Sequence, residues 1–324
     1  VAAIGTGAQV IYQNIERILT TIEVKEQAQA YERKQLSEAV RVYVERLQHQ
    51  SERSLGDLGR EGPYKALLEY DIQDTAQFSG RTAAIDAILQ CLARGPLTVL
   101  HAESGAGKTS LLKAGIMPRL LAAGHIPLYV RAYKTPYPQA ILRQLLPSTD
   151  PMPGLGSLAL HALLRQVTDL LGGKQMVILL DQFEEIFTEQ SAEDRAAFIT
   201  QLATCLEDDL LSVHWVLSLR REWFGQLSSL RPQVRNPFAN EYHLQALTRT
   251  EATDVIVEPA RQHQVSYEPA LLERLLTDLD QEGIAPPQLQ LVCTYLFQSL
   301  NAGAAVITLQ MYPPGGAGEI LREH

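Results

Sequence analysis

The chain has 324 residues, 46% of them apolar and 20% charged, which is enough for two or three domains of an ordinary soluble globular protein. Its formal net charge of -9 gives no overall attraction to nucleic acid or to an anionic membrane, although a local basic patch is compatible with it. No stretch approaches the roughly 18–20 uninterrupted apolar residues of a membrane span, and the N-terminus lacks a charged region followed by an apolar one, so a cytoplasmic protein is expected.

In chain order, the Gly-x-Gly of Ile4-Gly5-Thr6-Gly7 reads as a turn, because no helix with a phosphate-binding context follows it. From Asn14 to Gln50 apolar residues recur at helical spacing: Ile15, Ile18, Leu19 and Ile22, then Leu36, Val40, Tyr43 and Leu47. This predicts a long amphipathic helix or a helical hairpin that acts as a connector over residues 1–52. The Ser- and Gly-containing stretch 53–74 reads as a linker.

An α/β core is expected over 75–245, with strands at Leu97–His101, Ile126–Ala132, Met176–Asp181, Val213–Leu219 and Glu241–Leu244 separated by helical patterns. Such alternation implies a parallel, doubly wound sheet. Residues 246–303 are purely helical in pattern, at Thr250–Gln262, Glu268–Gln281 and Pro287–Leu300, and a short β-rich segment, Ala305–Leu309, follows within 304–324. Cys91, Cys205 and Cys293 sit in apolar helical patterns without metal-ligand spacing, as buried thiols of a reducing compartment would. A beginning at Val1 and an ending soon after a Pro-Pro-Gly-Gly turn suggest a piece of a longer protein.

The apolar strand at Leu97 runs into His101-Ala102-Glu103-Ser104-Gly105-Ala106-Gly107-Lys108-Thr109-Ser110, the relaxed [AG]-x-x-x-x-G-K-T form of a phosphate-binding P-loop, with Ala102 at the first position. Gly105 and Gly107, lacking Cβ atoms, let the backbone turn successive N–H groups toward a phosphate. Lys108 supplies charge between β- and γ-phosphates, and the Thr109 hydroxyl can ligate Mg²⁺. A helix from Lys108 to about Ala123 then points its positive end at the anion.

Met176–Asp181 is a buried-strand pattern ending in a carboxylate, followed by Gln182-Phe183-Glu184-Glu185: a Walker B strand. Asp181 is the expected Mg²⁺ partner. Glu184 is the preferred base for the attacking water, with Glu185 the alternative or a structural acid at a helix start. The strand at Ile126–Ala132, between P-loop and Walker B in chain order, suits ATPases with a catalytic glutamate better than small GTPases, and no guanine-reading Asn-Lys-x-Asp is present. At the C-terminal edge of the fourth strand stand Arg220, a candidate γ-phosphate sensor, and Arg221, a weaker candidate.

As a set these motifs resemble the STAND class of signal-transduction ATPases, and specifically the bacterial novel STAND NTPases, which are related to AAA+ proteins. The resemblance rests on Phe78-Ser79-Gly80-Arg81, Glu103 to Leu112, Leu180-Asp181-Gln182-Phe183-Glu184-Glu185-Ile186-Phe187, Leu217-Ser218-Leu219-Arg220 and Pro286-Pro287-Gln288-Leu289-Gln290-Leu291-Val292, within residues 75–320. It implies a P-loop NTPase sheet followed by an all-α lid over 246–303 and the start of a winged helix over 304–324. It further implies that Gly80 and Arg81 lie beside adenine and ribose, that Pro287 or Pro286 closes over the base, and that Ser104, Ala106 and Ser110 join the nucleotide contacts. Thr82 stands where the family often has Glu.

By the same resemblance the cofactors are ATP or ADP with Mg²⁺, the partners are an N-terminal effector and a C-terminal sensor of the same protein, and activation produces a homo-oligomer, in relatives often linked to anti-phage defence or cell death. Two other readings stay open: an AAA+-like motor or nucleic-acid loader, against which the acidity argues, and a nucleotide-bound scaffold without hydrolysis.

Overall fold

The computed structural model describes residues 30–50, 62–146 and 159–323, apart from 32, 173, 281, 282 and 302. The turn at Gly5 and Gly7, the first part of the expected N-terminal helix and residues 53–61 of the expected linker lie outside these. Residues 33–50 are helical, and Leu36, Val40, Tyr43 and Leu47, spaced along one helical face, are buried in the main apolar cluster. On the solvent side Arg41 bridges Glu38 and Glu45, pairs worth a few tenths of a kcal/mol each.

The core is a five-stranded parallel sheet of β1 (Leu97–Ala102), β2 (Ile126–Val130), β3 (Met176–Leu180), β4 (Val213–Arg220) and β5 (Glu241–His243) in the order β2-β3-β4-β1-β5. All five side chains of β3 are fully buried, which requires cover on both faces and explains why the strand reads as a continuous apolar run rather than an alternating one. The sequence places β2 between the P-loop strand and the Walker B strand, but in space β2 is at an edge. The inserted strand is β4, bonded to β1 on one side and β3 on the other. Chain order cannot reveal this, since a crossover connection leaves the choice of neighbour to packing.

The expected P-loop helix is composite: Lys108–Ser110 is α-helical, Leu111–Ile116 forms a π stretch, and Met117–Ala122 returns to α. Gly115 lies in the π stretch, where an added Cβ would stand 3.0 Å from Ile85 and 3.2 Å from Phe78. The wider turn therefore accommodates a close approach by the preceding helix, Thr82–Arg94.

A second apolar cluster takes in Tyr64 and residues from Leu247 onward. It joins the helices Arg249–Gln262, Pro269–Leu279, Pro286–Gln298 and Ala317–Glu323 through Ile256, Leu275, Leu289, Leu296 and Ile320. The first of these helices opens on a capping box, in which Thr248 accepts from Glu251 N–H and Glu251 accepts from Thr248 N–H. Besides its helices this lid carries a parallel two-residue ladder, β6 (Ser266–Tyr267) on β7 (Val306–Ile307). Leu247 and Ile284 exchange two backbone hydrogen bonds of 3.0 and 3.1 Å, tying the lid's first residues to the segment before Pro286.

Candidate nucleotide site

The C-terminal ends of β1, β3 and β4 open into a cavity of about 270 Å³ that the lid borders on one side. Arg81, Ser104 to Ser110, Asp181, Glu184, Arg220, Pro286 and Pro287 all line it, so residues far apart in the sequence converge on one space. Ala102 does not need the first glycine's freedom: it is the fully buried last residue of β1, and positive φ appears only further on, at Gly105 (+78°) and Gly107 (+91°). Cβ atoms built on these two glycines would stand 3.5 Å from Pro287 and 4.0 Å from Pro286. The lid prolines therefore rest directly over the P-loop.

Each cation of the site is held by a resident acceptor. The Lys108 ammonium donates to the carbonyls of Ala102 and Glu103, each at 3.2 Å. Burial lowers its pKa, against which the charges of Glu184 and Asp181 act. Arg220 offers Nε at 3.3 Å to one Glu184 oxygen and its backbone N–H at 3.3 Å to the other. Burial raises the Glu184 carboxyl above its ordinary value, and the main-chain N–H groups of Glu184 itself and of Arg220 work in the opposite direction. Arg81 is buried, donates to the Ala106 carbonyl at 3.1 Å and lies 4.0 Å from Glu251 of the lid.

Asp181 is fully buried and accepts three hydroxyl hydrogen bonds: from Thr109 at 2.6 Å and Tyr129 at 2.9 Å on one oxygen, and from Ser218 at 2.8 Å on the other. A carboxylate beside a P-loop hydroxyl on the cavity floor is a hard-oxygen pair, the donor chemistry that Mg²⁺ takes. The residues present therefore fit that ion.

The two consecutive glutamates part company. Glu184 faces the cavity, whereas Glu185 turns under the exit of β2, accepting the Tyr133 N–H at 2.9 Å and pairing with Arg131 at 3.3 Å. Gln182, at φ +52°, makes the sharp turn that separates them from the strand. Arg221 points away to Glu103 at 3.3 Å, and Gly80 is outside the lining. Gly80 instead packs beneath the lid: its added Cβ would lie 2.4 Å from the Glu251 carbonyl oxygen, and its φ is +76°.

The stretch 62–74, expected as linker, forms with 75–78 a strap against the site. Ala66 to Tyr70, Gln77 and Phe78 form a wall of the cavity. The Tyr70 hydroxyl (2.9 Å) and Lys65 N–H (3.1 Å) both donate to the Gln290 side chain of the lid. Tyr70 N–H donates to Ser110 of the P-loop helix at 3.1 Å. The available signal was Tyr64 and Tyr70 flanking Leu67-Leu68, an apolar content that a solvated linker does not need.

A P-loop, a carboxylate at the end of β3, an acid facing the cavity and β4 inserted between β1 and β3 define a P-loop NTPase with a helical lid. The chain belongs to the novel STAND NTPase 1 family, whose model matches residues 63–322. No curated protein matches the sequence. Among solved structures, a Walker-type ATPase of Pyrococcus abyssi is 14% identical with a TM-score of 0.56, over 81% of this chain and 74% of that one. The ORC2 protein of Aeropyrum pernix in its ADP form is 17% identical with a TM-score of 0.54, over 74% and 67%. The same protein with ADPNP and ADP is 16% identical with a TM-score of 0.54, over 75% and 67%. At such identities these likenesses speak for the fold alone.

Proposed function

We propose that this protein is an ATP-dependent signal-transduction switch that binds Mg-ATP, hydrolyses it slowly and changes state when ADP and ATP exchange. The observation that carries the reading is the seating of Pro286 and Pro287 over Gly105 and Gly107, because a ligand held on the P-loop then touches core and lid together. A lid whose two positions differ in affinity for ADP and ATP converts the identity of the nucleotide into a conformation.

In this reading Lys108 and the P-loop N–H groups hold the β- and γ-phosphates, while Arg81, Pro287 and the strap enclose the nucleoside end. Thr109 and Asp181 would hold Mg²⁺, which when bound offsets phosphate charge. Glu184 takes a proton from the attacking water, for which its inward-facing position supports it over Glu185, which is engaged with Tyr133 and Arg131. Arg220 stabilises charge on the γ-phosphate. Residues 304–324, expected as the start of a winged helix, pack into the lid's apolar cluster through Ile307, Ala317 and Ile320. The division into a connector at 1–52, a linker at 53–74, a core at 75–245 and a lid at 246–303 belongs to the same proposal. So do control of self-assembly and an effector role in bacterial defence or cell death, which kinship alone supports.

The test is the nucleotide released on denaturing the purified protein, read beside its mass in solution. ADP with a monomer, and ATP with a larger assembly, are the expected pairings. Protein that carries no nucleotide and has no affinity for Mg-ATP would sink the proposal, and ATPase stimulated by DNA or RNA would turn it toward a motor or loader.

A further inference from the structure

Tyr129 lies on the edge strand β2 among otherwise buried aliphatic positions, and the sequence gives no reason to look at it. Its register partner on β3 is Leu179, and the ladder continues one step beyond the strand, where Asp181 N–H donates to the Val130 carbonyl at 2.9 Å. Asp181 is thus two residues past Leu179, on the same face as Tyr129, where a long side chain on the neighbouring strand can reach it. Phenylalanine would fill the strand position equally well. What tyrosine adds is an O–H whose oxygen stands 2.9 Å from the Asp181 oxygen that also accepts from Thr109.

The ring has a second engagement. The Lys113 ammonium lies 4.8 Å from its centroid, and that ammonium is itself paired with Glu69 and, at 3.4 Å, with Asp71. Glu69 belongs to the strap and lines the nucleotide cavity. The phenol is thereby fixed from both ends, by a carboxylate at its hydroxyl and by a strap-anchored cation over its face.

We infer that Tyr129 is a positioning residue for the metal-holding carboxylate, setting the rotation of Asp181 toward Thr109 so that a divalent cation meets an ordered pair of oxygens. The inference rests on the reading of Asp181 and Thr109 as the metal pair. Its basis is general: hydrogen-bond partners behind a ligating carboxylate fix its orientation, and their loss commonly costs tenfold or more in metal affinity. Lys113, by holding the ring, makes the seating of the strap part of the same arrangement.

The experiment measures ADP affinity by calorimetry, first in EDTA and then across a Mg²⁺ titration, for the wild type, Tyr129→Phe, Lys113→Met and Asp181→Asn. Tyr129→Phe is expected to leave the EDTA affinity unchanged and to raise the half-saturating Mg²⁺ concentration about tenfold. Lys113→Met, which keeps both hydrogen-bonding partners, should move it in the same direction by a smaller factor, and serves if Tyr129→Phe does not fold. A merely structural role would change melting temperature and affinity in EDTA and Mg²⁺ alike. If Mg²⁺ dependence is unaltered in whichever variants fold, or if it tightens, the inference is overturned. A wild type without Mg²⁺ dependence, or an Asp181→Asn variant that keeps it, would instead overturn the metal assignment beneath it.

Discussion

The pairing of Arg220 with Glu184 gives one guanidinium two prospective partners, the resident carboxylate and an incoming γ-phosphate. On the proposed reading, a phosphate that takes Arg220 would leave Glu184 free to meet water, so the acid would be armed by the group it is to help remove. Neutralising the acid should release the arginine in advance. Glu184→Gln is therefore expected to bind ADPNP about two- to fivefold more tightly while ADP affinity stays level, a modest factor because the Arg220 side chain is 49% exposed. In an Arg220→Gln background that gain should vanish, which distinguishes competition for the arginine from simple loss of negative charge. Lys108→Ala, by contrast, removes a half-buried cation that lines the cavity and should weaken both nucleotides by at least about a hundredfold, checked by the same titration.

At the scale of elements, the sequence made the strands, the P-loop, the Walker B turn and the three main lid helices legible, because each follows a local period or a local motif. The helix expected at Thr250–Gln262 runs Arg249–Gln262, and that expected at Pro287–Leu300 runs Pro286–Gln298. What was illegible depends on contacts between distant segments. The strap reads as linker because its apolar residues serve a cavity wall rather than a helix face, and Tyr129 reads as filler because its hydroxyl finds Asp181 only after β2 and β3 pair. The π stretch at Leu111–Ile116 is likewise a response to Ile85 and Phe78 at Gly115, not to anything in its own pattern. Gly80 marks one close approach between core and lid. Gly80→Ala combines a left-handed φ with a contact against backbone that cannot yield, and should cost about 3 kcal/mol. A lower urea midpoint together with faster proteolysis between lid and core is the expected result; an unchanged midpoint would mean that the two bodies separate freely.

For the molecule as a whole, acid should be the weak direction. His101 is buried between Phe224 and His243, neither ring nitrogen has a hydrogen-bond partner among the described residues, and burial, followed by the neighbouring His243, pushes its pKa down to about 4 despite the Glu241 carboxylate 3.7 Å from Nε2. The unfolded chain takes up this proton near pH 6.5 and the folded one only near 4, so stability is complete above that window and falls as pH drops through it, by up to about 3 kcal/mol. Melting temperature followed from pH 7 to 4 should show this slope, and His101→Phe should flatten it; a wild-type profile level across that range would contradict the assignment.

The sheet edge at β2 carries a different kind of protection. Pro127 has no N–H, and its carbonyl already accepts a hydrogen bond from Tyr43 of the helix 33–50 at 2.8 Å. An incoming strand would find neither donor nor acceptor at that residue, so the helix and the proline together discourage chain-to-chain β pairing there. Under the proposed switching by self-assembly, such an edge would suppress contacts that form without a signal.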